Sequence, residues 1–218
     1  MRYEHVVFDL DGTLIDSRAD LAHAVNHMLR TFGRPQLSVE TVTGYIGEGA
    51  RMLVKRALGP EHEHRLEAGL QIFMAYYDAH LVDRTRLHPG IADMLHQLKQ
   101  QAVLLSVLSN KPVDMSRAIL DGLGVLSLFD AIFGGDSFAT RKPDPAGLEQ
   151  VRKRAGTSRE RLLVVGDSLI DLRTAQAAGV DFCGVGWGFG GAGLKAAGAQ
   201  RIINKPAELL TLLQTRTT

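Results

Sequence analysis

At 218 residues and 45% hydrophobic, the chain can bury a proper core and has room for one large domain or two small ones. A net charge of +1 and a pI near 8.0 offer no field for nucleic acid or an acidic partner. A single cysteine, Cys183, excludes a disulfide within the chain, and no apolar run approaches the ~20 residues of a bilayer span. A soluble, cytoplasmic protein with neither a nucleic-acid nor a membrane partner is expected. The first apolar run agrees, since Glu4, His5 and Asp9 interrupt it as they would not a secretory signal.

In chain order, the first predicted element is a short buried strand over Val6, Val7 and Phe8, followed by "DLDGTLIDS". Residues two apart on a strand share a face. Asp9 and Asp11 would then aim into one small space, where like charges repel and burial sharpens the repulsion. Such a pair calls for a cation, a shared proton or a chemical task.

About ninety residues then separate Asp11 from the next strand-like run, far more than one crossover needs. Most of them read as helical: "SRADLAHAVNHMLRTFG" from Ser17, "SVETVTGYIGEGARMLVKRALG" from Ser38, and "EHEHRLEAGLQIFMAYYDAHLV" from Glu61. In the last, Leu66, Leu70, Phe73, Tyr77 and Leu81 keep helical spacing. Residues 17–82 are read as a small helical domain inserted after the first strand, positioned like a lid.

Beyond it, apolar runs at 103–109, 131–135, 162–167, 181–186 and 201–204 alternate with helical patterns near 90–101, 113–122, 145–155, 170–178 and 206–214. Strands alternating with helices, each strand apolar nearly throughout, predict a doubly wound parallel sheet covered on both faces. Residues 1–16 and 83–218 would form this α/β core. Three strands end on polar residues, in "DLDGT", "LSNKP" and "GDSLID", and in open parallel sheets ligands bind at those carboxyl ends.

These motifs, with "RKPDP" at 141–145, occur in an order and on strand ends that resemble the haloacid-dehalogenase-like (HAD) hydrolase superfamily, over essentially the whole chain. The resemblance implies a Rossmann-like core with an inserted helical cap. It implies Asp9 as the nucleophile that forms an aspartyl phosphate, and Asp11 as the acid and base that serves first the leaving alkoxide and then the attacking water. Asp9 and Asp167 by side chain, and Asp11 by backbone carbonyl, would bind Mg²⁺, with Asp171 behind them holding a bound water or Lys142. Lys142 would offset the phosphoryl and Asp9 charges. Ser109, with the backbone N–H groups of Asn110 and Gly12, would cradle the phosphoryl oxygens, while Thr13 would bond within the turn and orient Asp9.

Several features compete with this reading. "GWGFGG" at 186–191 fits the G-x-G-x-x-G dinucleotide fingerprint, but too little chain follows it and the next strand ends without an acid, so a loop beside the site is expected. His23 and His27 lack the glutamate of a zinc protease, His62 and His64 read as a solvated helix start, and Trp187 could touch substrate or plug the structure. The basic run at 151–161 reads as a solvated face.

The lid stretch "TGYIGEGARMLVKRALG" resembles phosphoglycolate phosphatases, with Gly47 and Arg51 as candidate substrate contacts and the helix opening at Gly49 and Ala50 suited to a second carboxylate. Hydrolysis of 2-phosphoglycolate is therefore expected. The alternatives are a phosphatase of another small metabolite or of pyrophosphate, and a phosphoglucomutase-like transferase. A dehalogenase would lack Asp11, and a non-catalytic phosphometabolite sensor would have lost the nucleophile or a metal ligand.

Overall fold

The computed structural model describes residues 2–214, and the chain divides into two compact units: residues 1–15 with 87–218, and residues 16–86. In chain order the elements are β1 (His5–Phe8), β2 (Ile15–Asp16), α1 (Arg18–Thr31), α2 (Val39–Thr43), α3 (Ala50–Leu58), α4 (Leu66–Ala79), β3 (Arg86–Leu87) and α5 (Ile91–Gln100). There follow β4 (Leu104–Leu108), α6 (Val113–Gly122), β5 (Ala131–Phe133), α7 (Ala146–Ala155), β6 (Leu162–Gly166), α8 (Leu169–Ala178), β7 (Asp181–Val185), α9 (Gly191–Leu194), β8 (Ile202–Ile203) and α10 (Ala207–Gln214).

The larger unit is built on a six-stranded sheet in the order β5-β4-β1-β6-β7-β8. Every pairing in it is parallel, with Phe8 opposite Val107 on one side and Val165 on the other. The α/β, doubly wound prediction holds. Each long strand is buried along almost its whole length, which a sheet covered on both faces requires. On one face Val7, Leu108, Val164 and Phe182 pack with Leu148 and Val151 of α7 and Leu172 and Ala175 of α8. Alternation turns the buried Val6 and Phe8 to the other face. The strand order reverses at β1, so its carboxyl end is the switch point where ligands bind such sheets.

The ladder runs one residue past β1, where the Asp9 N–H donates to the Val165 carbonyl at 2.9 Å. It then stops. The Leu10 carbonyl accepts from the N–H groups of Thr13, Leu14 and Ile15, at 3.3, 3.0 and 3.2 Å, and folds the chain into a tight turn. Asp11 therefore lies in a turn rather than on a strand, and the same-face argument for Asp9 and Asp11 fails at its premise.

In the helical unit, α4 packs on α1 and α3, and α2 packs on α1. Leu21, Val25, Met28, Leu53, Val54, Phe73 and Tyr77 are buried there. The spacing argument holds for Leu66, Phe73 and Tyr77, but α4 ends at Ala79 and leaves Leu81 beyond it. The stretch from Ser38 forms two helices parted by the glycine-bearing turns between Thr43 and Ala50, the second opening at Ala50 as its glycines suggest. This unit runs from Asp16 to Arg86, against the expected 17–82. Its far end is tied in by Asp20 of α1, whose carboxylate accepts the Arg84 N–H at 3.0 Å and the Thr85 N–H and hydroxyl at 2.8 and 2.7 Å.

Candidate active site

The site is assembled at the carboxyl ends of β1, β4 and β6. Asp9 follows β1, Ser109 and Asn110 follow β4, and Asp167 follows β6. Lys142 reaches in from the β5–α7 connection. Its ammonium donates to Asp9 Oδ1 at 2.7 Å and to Asp171 Oδ1 at 2.6 Å, and the lysine side chain is only 7% exposed. The side-chain amide of Asn110 fixes this lysine's backbone: its Nδ2 donates to the Lys142 carbonyl and its Oδ1 accepts the Lys142 N–H, both at 3.0 Å. The sequence argument used only the backbone of Asn110, so this clamp is an additional role.

Asp171 is held at the start of α8 by a reciprocal cap. Its Oδ2 accepts from the Ser168 hydroxyl at 2.6 Å and the Ser168 N–H at 3.1 Å, and Ser168 Oγ accepts the Asp171 N–H in return. An ordinary helix-start motif thus leaves Asp171 Oδ1 facing Lys142.

Asp167 is buried, and its Oδ2 accepts the N–H groups of Phe189 and Gly190 at 2.6 and 3.2 Å. The "GWGFGG" loop therefore supplies backbone donors to an acid. Thr13 bonds within its turn through its N–H, as expected, but its hydroxyl donates to Asp167 Oδ1 at 3.4 Å rather than orienting Asp9. Trp187 ties the two loops together, its indole N–H donating to the Thr13 carbonyl at 3.0 Å.

Carboxylate oxygens of Asp9, Asp167 and Asp171 lie within 4.8 Å of one another. Asp11 is not part of this cluster. Its Oδ1 accepts instead from the ammonium of Lys111 at 2.8 Å, in a pair whose side chains are 6% and 13% exposed. Lys111 was not among the expected site residues, although it lies in the "NKP" that follows Ser109 and that resembles phosphoglycolate phosphatases.

Burial raises the Asp9 carboxyl to about 8, with Asp171 and Asp167 adding to the rise and Lys142 opposing it. Burial and the Asp171 charge carry Asp167 to about 7, against the pull of its two backbone donors. Burial works against the Lys142 ammonium, yet Asp171 and Asp9 outweigh it and hold this lysine above its ordinary value. The cluster is thus short of positive charge even with Lys142 in place. Its donors are hard oxygens at the right separation, so the residues fit a small divalent cation such as Mg²⁺.

The residues expected on the helical unit have their own local settings. Gly47 and Gly49 hold φ of +124° and +88°, and α3 opens directly after them. Arg51 forms a two-point ion pair with Glu67 of α4, both side chains more than half exposed. That is the arrangement of a solvated surface pair, so its guanidinium is already engaged within this unit.

Fold and site together define an α/β enzyme with an acidic centre at its strand tips. The chain belongs to the haloacid dehalogenase-like hydrolases, whose family profile matches residues 6–185. It is 44% identical over 191 residues to "Phosphoglycolate phosphatase 1" of Pseudomonas aeruginosa, covering 84% of this chain and 70% of that one. A "Phosphoglycolate phosphatase" of Cereibacter sphaeroides is 43% identical, covering 81% and 82% of the two chains. Among solved structures, "a predicted phosphoglycolate phosphatase" of Haemophilus somnus superposes with a TM-score of 0.93 at 31% identity, over 98% of this chain and 99% of its own.

Proposed function

We propose that this protein is a Mg²⁺-dependent phosphomonoester hydrolase whose substrate is 2-phosphoglycolate and whose products are glycolate and phosphate. The observation that carries the chemistry is the buried Lys142 ammonium bridging Asp9 and Asp171, with Asp167 beside them. The substrate assignment is supported by relatives named phosphoglycolate phosphatase at 43–44% identity.

In the first step an Asp9 carboxylate oxygen attacks phosphorus, forming an aspartyl phosphate and breaking the bond to the glycolate oxygen, which takes a proton from Asp11. In the second, Asp11 takes a proton from water as that water's oxygen attacks phosphorus. Phosphate leaves and the Asp9 carboxylate is restored. Lys142 holds Asp9 by an ion pair and offsets its charge as the trianionic substrate approaches. The Ser109 hydroxyl and the Asn110 N–H line the turn where phosphoryl oxygens would rest, whereas the Gly12 N–H, expected to join them, donates to the Ile15 carbonyl at 2.8 Å and closes its own turn instead.

Asp9, Asp167 and the Asp11 carbonyl would hold Mg²⁺, which when bound supplies the positive charge that this cluster and the phosphoryl group share. Asp11→Asn should lower kcat by about 10²–10⁴-fold, the usual worth of one acid–base group. Asp9→Asn should remove turnover altogether. Phosphate release from 2-phosphoglycolate and from a panel of sugar phosphates and nucleotides, with Mg²⁺ and with chelator, tests both levels. Full activity in Asp9→Asn would overturn the mechanism, and a flat substrate ranking would overturn only the choice of substrate.

A further inference from the structure

Lys111 has no part in the chemistry above, yet its placement is specific. Its backbone is fixed on both sides, the N–H donating to Ser109 Oγ at 3.3 Å and the carbonyl accepting from Gly135 at 2.8 Å. The side chain is 6% exposed and carries its ammonium to 2.8 Å from Asp11 Oδ1. Burying an ammonium is costly and is tolerated where an anion meets it. Asp11 is one such anion, but the acid–base role proposed for Asp11 puts its carboxyl within hydrogen-bond reach of the leaving oxygen. A cation one hydrogen bond beyond Asp11 therefore borders the leaving group itself.

In 2-phosphoglycolate one methylene separates the leaving oxygen from a carboxylate, whose oxygens lie about 3 Å from it by ordinary bond lengths. One further hydrogen bond of about 3 Å from that carboxylate would reach an ammonium placed, like that of Lys111, one hydrogen bond beyond Asp11.

We propose that Lys111 is the residue that recognises the substrate carboxylate, selecting phosphate esters with an acid on the carbon next to the ester oxygen. The inference rests on the phosphatase reading and assigns its substrate specificity to one ammonium. Lys142, committed to Asp9 and Asp171, serves the phosphoryl end; Lys111 serves the other.

The test is a cycle of two substrates and two proteins. 2-Phosphoglycolate is compared with its amide, 2-phosphoglycolamide, which has the same size and no second negative charge. In the unaltered protein kcat/KM should favour the acid by about tenfold to a hundredfold, the worth of one hydrogen bond to a charged group. In Lys111→Met that preference should fall below about threefold, with most of the loss in KM. Lys111→Gln, which keeps a donor without the charge, is measured alongside, and circular dichroism establishes that both variants fold.

A preference that survives in both variants overturns the assignment of Lys111 while leaving the phosphatase intact. Equal turnover of acid and amide by the unaltered protein overturns it without any variant. Hydrolysis of neither substrate removes the phosphoglycolate reading, and this inference with it.

Discussion

Gly12 and Gly188 lie against Asp167 so closely that neither can carry a side chain. A Cβ on Gly12 would stand 2.4 Å from Asp167 Oδ2, and φ there is +89°, a region that L side chains seldom adopt. A Cβ on Gly188 would stand 2.2 Å from the Asp167 Cβ. The second position offers the cleaner experiment, since φ at Gly188 is not in the left-handed region and the cost of a methyl group is purely its collision with the acid. Gly188→Ala should push Asp167 away from the Phe189 and Gly190 N–H groups that aim it. Disturbing the groups that orient a ligand usually costs 10–100-fold in metal affinity. A Mg²⁺ titration of phosphatase activity should therefore shift to higher concentration by about that factor, with the far-ultraviolet circular dichroism unchanged. An unshifted titration would mean that Asp167 does not hold the cation. The same residues show why the site was only partly legible in the sequence. Asp9 and Asp167 stand out because polar residues end apolar runs, a signal that survives in one dimension, while Asp171, inside α8, was legible only through the motif "GDSLID". Backbone N–H groups carry no residue signature, so the donors of the glycine-rich loop could be taken for a dinucleotide fingerprint. Lysines in loops are ordinarily solvated, and the 6% exposure of Lys111 is a property of the folded turn that the sequence does not display.

Among the elements, those with a continuous buried run were legible and those shaped by tertiary pairing were not. The strands of the parallel sheet lie within a residue or two of their predicted bounds, because burial on both faces forces an unbroken apolar stretch. The ribbon strands β2 and β3 are two residues each, too short for any period to register. Helix α1 holds another such case in Asp20, which reads as an ordinary acidic first-turn residue. In the structure it is 1% exposed and accepts the N–H groups of Arg84 and Thr85 and the Thr85 hydroxyl, sixty-four and sixty-five residues away. It closes the helical unit on itself. Asp20→Ala would leave the two buried Thr85 donors without their acceptor, and each unsatisfied group costs about 1–3 kcal/mol. The expected loss is about 2–4 kcal/mol, within the range reserved for broken buried networks. Urea unfolding followed by tyrosine fluorescence should show a lower midpoint at an unchanged slope. A midpoint within experimental scatter of the unaltered protein would show that water replaces the carboxylate at no cost.

At the scale of the whole molecule, stability is tied to pH through His5, on the central strand β1. Its ring is fully buried, Nε2 lies 2.9 Å from the Ser106 hydroxyl of β4, and Nδ1 lies 3.4 Å from the Thr157 hydroxyl. Burial lowers its pKa from 6.5 to about 4, the nearby Asp130 only partly resisting. The folded state therefore keeps this imidazole neutral where the unfolded chain would protonate it. Between about pH 6.5 and pH 4 the unfolded state binds more protons, so stability rises with pH across that window. The His5 contribution is complete above the unfolded value and is lost progressively as pH falls through the window to the folded one. Two and a half pH units correspond to about 3 kcal/mol in total, of which about 2 kcal/mol is gone by pH 5. Buried carboxylates titrate over the same range, so the His5 share is isolated by difference against His5→Gln, which can still hydrogen-bond but cannot ionise. Urea unfolding of both proteins at pH 7.5 and pH 5 should show the unaltered chain losing about 2 kcal/mol more than the variant. Equal losses would mean that His5 takes up its proton without unfolding the sheet. Because β1 carries Asp9 at its tip, opening the strand at His5 also dismantles the site, and activity should be lost together with the sheet wherever acid opens it and return when the pH is raised.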